Sequence, residues 1–388
     1  MESLPFSEPR AAYIHVPFCA HRCGYCDFTL VARRDDLVNA YLEALEIELS
    51  TLGQPREIDT LFLGGGTPTH LPFEGLQQLL NLLRRWFRLS PDGEFSCEAN
   101  PAGFTPEKIA LMCGGQPVDG TISSGVNRVS LGIQSFDAAI LHTLERDHDA
   151  AQIATVVEAL KAHCGNIGVD LIFGVPGQSV SLWRETLRRA IDLGVQHIST
   201  YGLTYEKGTA FWTRRAKGTL DPVADELERE MYSLVMDELA AAGFEQYELS
   251  NFARPGFRCR HNQVYWNGDS YFGFGPGAAR YINGRRETNH RSVTTWIQRV
   301  RSGESPIAMS EELPPEDRAR ELLILGLRRA AGVDREQFQA RTGFELDSLA
   351  GDRLAPYFRQ GFVEEVEGRV QLTREGRFVA DAIVIDCL

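Results

Sequence analysis

The sequence has no excess of positive charge. It contains 40 Lys and Arg residues against 53 Asp and Glu residues, and its formal net charge is −13. No long basic run interrupts this balance. General binding to a nucleic-acid duplex requires a concentrated basic surface, so we expect no nucleic-acid partner. A local basic pocket for an anionic small molecule is still compatible with this composition.

The sequence also lacks an apolar run long enough to span a membrane, and residues 1–18 do not show the charged-then-apolar pattern of a secretory signal. We therefore expect a cytoplasmic protein. Thiols stay reduced in that compartment, so clustered cysteines are more often metal ligands than disulfides. Five of the eight cysteines are scattered and are interpreted as buried inert thiols: Cys97, Cys113, Cys164, Cys259 and Cys387.

Short apolar segments rich in β-branched and aromatic residues alternate with amphipathic segments. The pattern predicts strands at 11–18, 58–66, 94–100, 127–135, 167–176 and 197–203, and helices that include 36–52, 73–87 and 179–194. This spacing is typical of βα units that feed a parallel sheet. Six such units favour an α/β fold with an open, partial barrel, and a doubly wound sheet is the competing architecture.

The βα alternation stops near residue 300. Helical patterns follow at 316–332, 334–343 and 346–361, and residues 362–376 predict two short strands before a last helix. We therefore predict two domains, 1–300 and 301–388, of which the second is a small α+β winged-helix-like domain. Its mixed charges favour a protein contact or a lid over DNA binding. The glycine- and serine-rich run 113–125 predicts a surface loop.

Three cysteines lie close together directly after the first predicted strand. Cys19, Cys23 and Cys26 are separated by three and then two residues. An ordinary iron–sulfur cubane takes four thiolates, so three would leave one iron open for a small molecule. Zinc is the competing metal, with His15 or His21 as a fourth ligand. A chance grouping of three thiols is the least favoured interpretation.

This cysteine spacing resembles the signature of the radical S-adenosylmethionine (radical SAM) superfamily. The resemblance implies a partial (β/α)6 TIM-like barrel, a [4Fe-4S] cluster, and SAM bound to the open iron through its amino and carboxylate groups. It further implies that the cluster can cleave SAM reductively to a 5′-deoxyadenosyl radical. Whether this chain acts as an enzyme is left open, and no catalytic residue is assigned.

Further motifs resemble the SAM contacts of the superfamily. They include the aromatic residue before the last cysteine, the segment "GGGTP", and polar residues at the ends of later predicted strands. The 113–125 loop lengthens the connection between two of these motifs without removing them. The residues that the resemblance assigns to SAM are Tyr13, Tyr25, Gly65, Gly66, Thr67, Glu98, Gln134, Arg146 and Asp170.

Within the superfamily, nearly the whole chain resembles the oxygen-independent coproporphyrinogen III oxidase group. The motifs that carry this resemblance are "YIHVPFC", "EANP", "GIQSFD" and "DLIFGVPGQ". Three features favour the HemW-type haem chaperones of this group over its oxidases. Phe28 stands where the oxidases have a further cysteine, the segment before Cys19 is short, and "HNQVYW" (261–266) matches a chaperone motif.

The last motif offers residues suited to haem. Histidine, cysteine and tyrosine can each ligate haem iron, and an aromatic face can cover a porphyrin. The predicted haem-binding residues are His261, Asn262, Tyr265 and Trp266, with Cys259 as a further candidate ligand. Judged without the resemblance, His261 and Asn262 are more often a satisfied polar pair.

The expected function is therefore a haem chaperone with cluster and SAM, and the expected partners are haem, an acceptor protein and a reductant. A transient contact with a membrane protein and a homodimer are left open. The alternatives are radical decarboxylation of coproporphyrinogen III and a winged-helix regulator with a sensor cluster.

Overall fold

The computed structural model describes residues 8–114, 117–118, 121–122 and 125–388. Six of the thirteen residues of the predicted surface loop at 113–125 lie outside the described residues. The two described pieces within it are short strands, which pair antiparallel with each other.

The described residues form strands of very different length. In chain order they are β1 (Ala11–Val16), β2 (Phe18–Cys19), β3 (Val31–Ala32), β4 (Arg56–Gly65), β5 (Phe87–Ala99), β6 (Pro117–Val118), β7 (Thr121–Ile122), β8 (Arg128–Gln134), β9 (Asn166–Phe173), β10 (His197–Gly202), β11 (Glu245–Gln246), β12 (Asn251–Ala253), β13 (Phe272–Phe274), β14 (Ala279–Ile282), β15 (Arg285–Asn289), β16 (Ile307–Glu312), β17 (Val333–Asp334), β18 (Val363–Val366) and β19 (Arg369–Leu372).

The α-helices of the described residues alternate with the long strands in the first two thirds of the chain. They are α1 (Val38–Ser50), α2 (Phe73–Trp86), α3 (Pro106–Cys113), α4 (Ala138–Thr143), α5 (Ala150–Lys161), α6 (Val180–Asp192), α7 (Ala210–Ala216), α8 (Asp225–Ala241), α9 (Arg260–Trp266), α10 (Val293–Arg301), α11 (Pro315–Leu327), α12 (Arg335–Thr342), α13 (Leu346–Arg359), α14 (Arg374–Phe378) and α15 (Ala380–Cys387).

One sheet dominates the described structure. Its order is β11-β12-β10-β9-β8-β5-β4-β1-β13, and all neighbours from β10 to β13 are parallel. The six predicted strands lie side by side in the centre, where they are largely buried on both faces, as the helix-covered strands of a parallel sheet are. The sheet is open, because its edge strands β11 and β13 do not pair with each other, and a cavity lies at the carboxyl ends of its central strands. The predicted radical SAM type of partial barrel is confirmed.

Helix starts are set by local capping. Ser179 accepts a hydrogen bond from the Leu182 N–H at the start of α6, and Asp149 forms a reciprocal capping box with Gln152 at the start of α5. The amphipathic helices bury their apolar faces on the sheet, and Trp183 and Trp296 are fully buried there. These contacts form the main hydrophobic core.

The C-terminal part has a core of its own, formed by α11, α12, α13 and α15 with the small sheet β17-β19-β18. Its helices and hairpin correspond to the predicted ones. Strand β16 (Ile307–Glu312) pairs with β15 (Arg285–Asn289) and thus joins the chain on both sides of residue 300. The division at residues 300 and 301 stays a prediction.

Candidate functional site

A cavity of about 470 Å³ opens at the carboxyl ends of the central strands. Parallel α/β sheets collect their functional groups at this edge. Eleven of the twelve residues predicted for the cluster and SAM line it: Cys19, Cys23, Tyr25, Cys26, Gly65, Gly66, Thr67, Glu98, Gln134, Arg146 and Asp170.

The cysteine loop connects two short paired strands. Cys19 ends β2, and β3 pairs with β2 in parallel, so the intervening residues form a closed loop at the cavity. Within it, the Cys26 N–H donates to the Cys23 carbonyl at 3.1 Å. Burial raises the pKa of Cys19 to about 11 and raises that of Cys26. Free thiolates are therefore disfavoured here, and a bound cation would have to replace their protons.

The donor set fits an iron–sulfur cluster. Each thiolate of a cubane binds a different iron atom, so the three sulfurs do not need to converge on one point. Among the described residues, no group of three or more His, Cys, Asp and Glu side chains is arranged to hold a single metal ion. The Thr67 hydroxyl lies 3.2 Å from Cys19 Sγ. The assignment of the three cysteines as cluster ligands stays a prediction.

The glycines after β4 allow two chain segments to pass very close to each other. A Cβ on Gly66 would lie 2.7 Å from the Phe18 carbonyl oxygen, next to the first cysteine. Gly65 has a φ of +109°, and its N–H donates to Glu98 Oε2 at 2.9 Å. Glycine is therefore required where β4 meets the cysteine loop.

Two partly buried carboxyl groups line the cavity: Glu98 on β5 and Asp170 on β9. Burial, together with the charge of the nearby Asp170, raises the pKa of Glu98 to about 7, although the hydrogen bond from the Gly65 N–H opposes the shift. Burial also raises the pKa of Asp170, which accepts a hydrogen bond from the Ser130 hydroxyl at 3.1 Å. The carboxylates can accept from ribose hydroxyls or an ammonium group, and their charge favours a cationic sulfonium.

Arg146 and Gln134 face the cavity because the chain leaves regular geometry beside them. The register of β8 shifts between Gly132 and Gln134, and Gln134 has a φ of +60°. Arg146 Nη2 donates to the Gly132 carbonyl at 2.7 Å, and its Nη1 lies 3.7 Å from Cys23 Sγ. Its Nε is buried without a hydrogen-bond partner among the described residues, so it fits a ligand carboxylate.

Tyr13 is the predicted SAM residue that does not line the cavity. Its hydroxyl is 3.0 Å from His15 Nδ1, and its ring lies 6.1 Å from that of Phe62. Tyr25 does line the cavity and meets the Phe211 ring edge-on at 6.2 Å. The SAM roles of both residues stay predictions.

The predicted haem residues lie on α9, away from this cavity. His261 is buried, with Nδ1 2.8 Å from the Thr60 hydroxyl and Nε2 2.8 Å from the Tyr265 hydroxyl. Its ring stacks on Phe62 at 5.1 Å. Burial lowers the pKa of His261 to about 3, so the imidazole is neutral, which is the form that ligates iron. Both ring nitrogens are nevertheless engaged within the protein.

The other predicted haem residues surround the same helix. Cys259 is fully buried and caps α9 by accepting from the Asn262 N–H. The Trp266 ring lies under the Arg328 guanidinium at 4.9 Å, and its indole N–H is buried without a partner in the described chain. Tyr265 borders a second cavity of about 190 Å³ beside α11. These haem assignments stay predictions.

Glu94 was not predicted, although it holds α9 in place. Its carboxylate is buried and accepts from the Arg260 N–H at 2.9 Å and the His261 N–H at 3.1 Å. A negative charge at a helix amino terminus stabilises the unpaired N–H groups there. No local sequence signal links a residue in β5 to a helix more than 160 positions later.

The cavity also contains side chains that the sequence prediction missed. Tyr201, on β10, is 42% exposed, and its exposed surface faces the cavity. Its place near the end of a predicted strand was a usable signal. Glu145 and Asp147 flank Arg146 and add negative charge to the same wall.

In the part of the chain that the structure describes, no helix is both long and apolar enough to cross a membrane.

Family models match two parts of the chain. The model described as the radical SAM superfamily matches residues 13–190, and the model of the HemN C-terminal domain matches residues 313–379. The first match includes the cysteine loop and the cavity-lining strands β4, β5, β8 and β9, but it ends before β10.

Curated relatives match nearly the full length. A protein of Bacillus subtilis named heme chaperone HemW is 37% identical over 96% of this chain and 98% of its own length. A protein of Escherichia coli with the same name is 32% identical over 99% and 98%. The radical S-adenosyl methionine domain-containing protein 1 of Danio rerio is 35% identical over 92% and 80%.

A solved structure shares the fold. Coproporphyrinogen III oxidase (HemN) of Escherichia coli, described as a radical SAM enzyme, matches with a TM-score of 0.85 over 98% of this chain and 90% of its own. The sequence identity is 22%, so this match shows the fold alone.

Proposed function

The chain belongs to the heme chaperone HemW family of radical SAM proteins, and from this membership we propose that it binds haem and delivers it to acceptor proteins. The observation that carries the proposal is the full-length relationship to proteins of that name. The matched length includes both the cysteine loop and the α9 segment, which supports a cluster site in the first and a haem site in the second.

The cavity supports the cofactors that the family implies, a [4Fe-4S] cluster and SAM. Cys19, Cys23 and Cys26 would hold the cluster, and Arg146 would pair the SAM carboxylate. When both cofactors are bound, the cluster would supply one electron to the sulfonium of SAM. In the chain itself, the Thr67 hydroxyl contacts the Cys19 thiol. The Gly65 N–H donates to the Glu98 carboxylate and so positions it.

The α9 segment supports haem as cargo, with one structural condition. His261 supplies a neutral imidazole, but the Tyr265 hydroxyl occupies its Nε2. Tyr265 lies between this nitrogen and the second cavity, so that cavity is the approach we propose for haem. Binding through Nε2 then requires the Tyr265 side chain to turn away. The lost hydrogen bond costs about 0.5–1.5 kcal/mol, the lost packing of the Tyr265 ring on Tyr271 adds to this cost, and iron ligation has to offset both.

The test is a titration of haem into anaerobically reconstituted protein, followed by absorbance. We expect a shifted Soret band that saturates at one haem per chain. His261→Ala should weaken binding about tenfold or more, because an iron ligand is lost. His163→Ala, an exposed histidine after α5, is the matched control and should bind as the wild type does.

Delivery is measured by mixing the haem-loaded protein with an apo-haemoprotein acceptor. Haem should appear in the acceptor faster than it dissociates into buffer. A wild-type protein that shows no Soret shift would remove the chaperone proposal. The reductant, a membrane-protein contact and a homodimer stay predictions.

Coproporphyrinogen III decarboxylation is the second candidate. The shared fold supports it, but Phe28, which is 56% exposed at the cavity, stands in place of the additional cysteine of the oxidases. Product analysis after anaerobic incubation with SAM, reductant and coproporphyrinogen III separates the two. We expect no protoporphyrinogen.

A further inference from the structure

A short helix outside the predicted motifs lies directly against the cysteine loop. It is α7 (Ala210–Ala216), and its Phe211 is fully buried against Leu144, Ile172 and Leu203. Thr209 caps the helix by accepting from the Trp212 N–H at 3.1 Å. The helix therefore has a fixed place beside the loop.

Phe211 contacts the peptide between two of the three thiols. Its N–H donates to the Gly24 carbonyl at 2.9 Å. Its ring covers the same residue so closely that a Cβ on Gly24 would lie 2.3 Å from one ring carbon and 2.5 Å from another. Gly24 follows Cys23 directly and stands two positions before Cys26, so this contact fixes the backbone that carries both sulfurs.

A second contact holds the other side of Cys23. Arg214, one turn after Phe211, is 2.7 Å from Glu145 Oε1, and Glu145 Oε2 is 3.6 Å from His21 Nε2. Gly24 therefore contacts α7 directly, and His21 is linked to α7 through Glu145. The aromatic ring also supports Tyr25, whose centroid is 6.2 Å away.

We infer that Phe211 is a positioning residue for the cluster, because its contact with Gly24 sets the separation of Cys23 and Cys26. The inference rests on the cluster assignment and goes beyond it, since it names a residue almost two hundred positions away as a determinant of cluster geometry. The ring cannot move aside cheaply, because it is fully buried and its own N–H is bound to Gly24.

The experiment is a double-mutant cycle on the full chain, with Gly24→Ala, Phe211→Leu and the double variant. Each protein is reconstituted anaerobically, and three quantities are measured: iron and sulfide per chain, the EPR spectrum of the reduced cluster, and the change in that spectrum when SAM is added. Gly24→Ala should lose cluster and alter the spectrum. Coupling between contacting residues corresponds to about twofold or more in an equilibrium, so the double variant should recover at least about twofold in cluster content over Gly24→Ala.

Gly326→Ala is the matched control, because its Cβ would meet Val333 at 2.4 Å in the C-terminal part, far along the chain from the cysteines. It should reduce thermal stability and leave the EPR spectrum unchanged. If Gly24→Ala does not fold, Phe211→Leu carries the test, and an EPR spectrum and SAM response like those of the wild type would overturn the inference.

The remaining outcomes separate this inference from the proposed function. Wild-type cluster content and spectrum in Gly24→Ala, or a double variant no better than Gly24→Ala, overturns the positioning role alone. A wild-type protein that takes up no iron overturns the cluster assignment, and the positioning role with it.

Discussion

Glu48 gives the chain a pH-dependent contact that can be measured on its own. It lies on α1, is 3% exposed, and accepts from the Gly275 N–H at 2.8 Å and the Asn289 side-chain amide at 2.6 Å. It thus ties α1 to the bend after β13 and to the end of β15. Burial raises its pKa from 4.5 to about 7, although these hydrogen bonds and Arg280 lower it.

The sign and size of the effect follow from this difference. The folded protein binds the Glu48 proton more tightly than the unfolded chain, so this contribution to stability is present in full below pH 4.5 and is lost as pH rises through 7. A difference of about 2.5 between the two pKa values, at 1.36 kcal/mol per pKa unit, corresponds to about 3.4 kcal/mol. About 2.5 kcal/mol of this is lost between pH 5 and pH 8.

The assay compares the thermal midpoints of the wild type and Glu48→Gln at pH 5 and pH 8. An unfolding entropy of about 2.1 cal/mol/K per residue makes 2.5 kcal/mol equal to about 3 °C for a chain of this length. Glutamine cannot accept from both donors, so the variant also loses a contact, but this cost does not depend on pH. The wild type should therefore lose about 3 °C relative to the variant as pH rises.

Glu46→Gln, an exposed position on the same helix, is the control. Other buried carboxyl groups, including Glu98, titrate in both proteins and cancel in the difference. A wild-type-minus-Glu48→Gln difference in midpoint that is equal at pH 5 and pH 8 would refute the reasoning.

Three further changes test the site and the fold. Replacing Cys19, Cys23 or Cys26 with alanine should abolish the visible absorption of the reconstituted protein, whereas Cys387→Ala should keep it; persistence in all three would show that the ligands are assigned wrongly. Asp170→Asn should weaken SAM binding about tenfold in anaerobic calorimetry, because a charged acceptor is lost, and an unchanged Kd would exclude a direct contact. Gly273→Ala places a Cβ 1.8 Å from the Ala279 carbonyl oxygen and should lower the thermal midpoint strongly. Gly165→Ala is the control, because its Cβ meets open space and should leave the midpoint unchanged. Equal midpoints for these two variants would contradict the packing of β13.

The central sheet could be predicted because its strands are continuous apolar runs. Segments such as β4 and β9 are buried on both faces, and their composition shows this directly. Strand β13 has three residues, and β16 is mostly exposed and polar. Neither carries a periodic signal, so the edge of the main sheet beside β1 and the sheet β14-β15-β16 were missed.

The candidate site was predictable where its residues lie on long strands, as Glu98 does on β5 and Asp170 on β9. The supporting contacts were not, because they join residues that are distant in sequence. Phe211 contacts Gly24 from a seven-residue helix, and Glu94 accepts from the N–H of His261, which lies 167 positions later in the chain. Local patterns describe what one segment prefers, whereas these contacts depend on how the segments assemble.

The same contacts place the two candidate sites on common elements. Glu94 holds the start of α9, and Glu98, on the same face of β5, borders the SAM cavity; four residues of strand span about 13 Å. On β4, Thr60 bonds His261, and Gly65 bonds Glu98. Strands β4 and β5 therefore each contact α9 near one end and border the SAM cavity near the other.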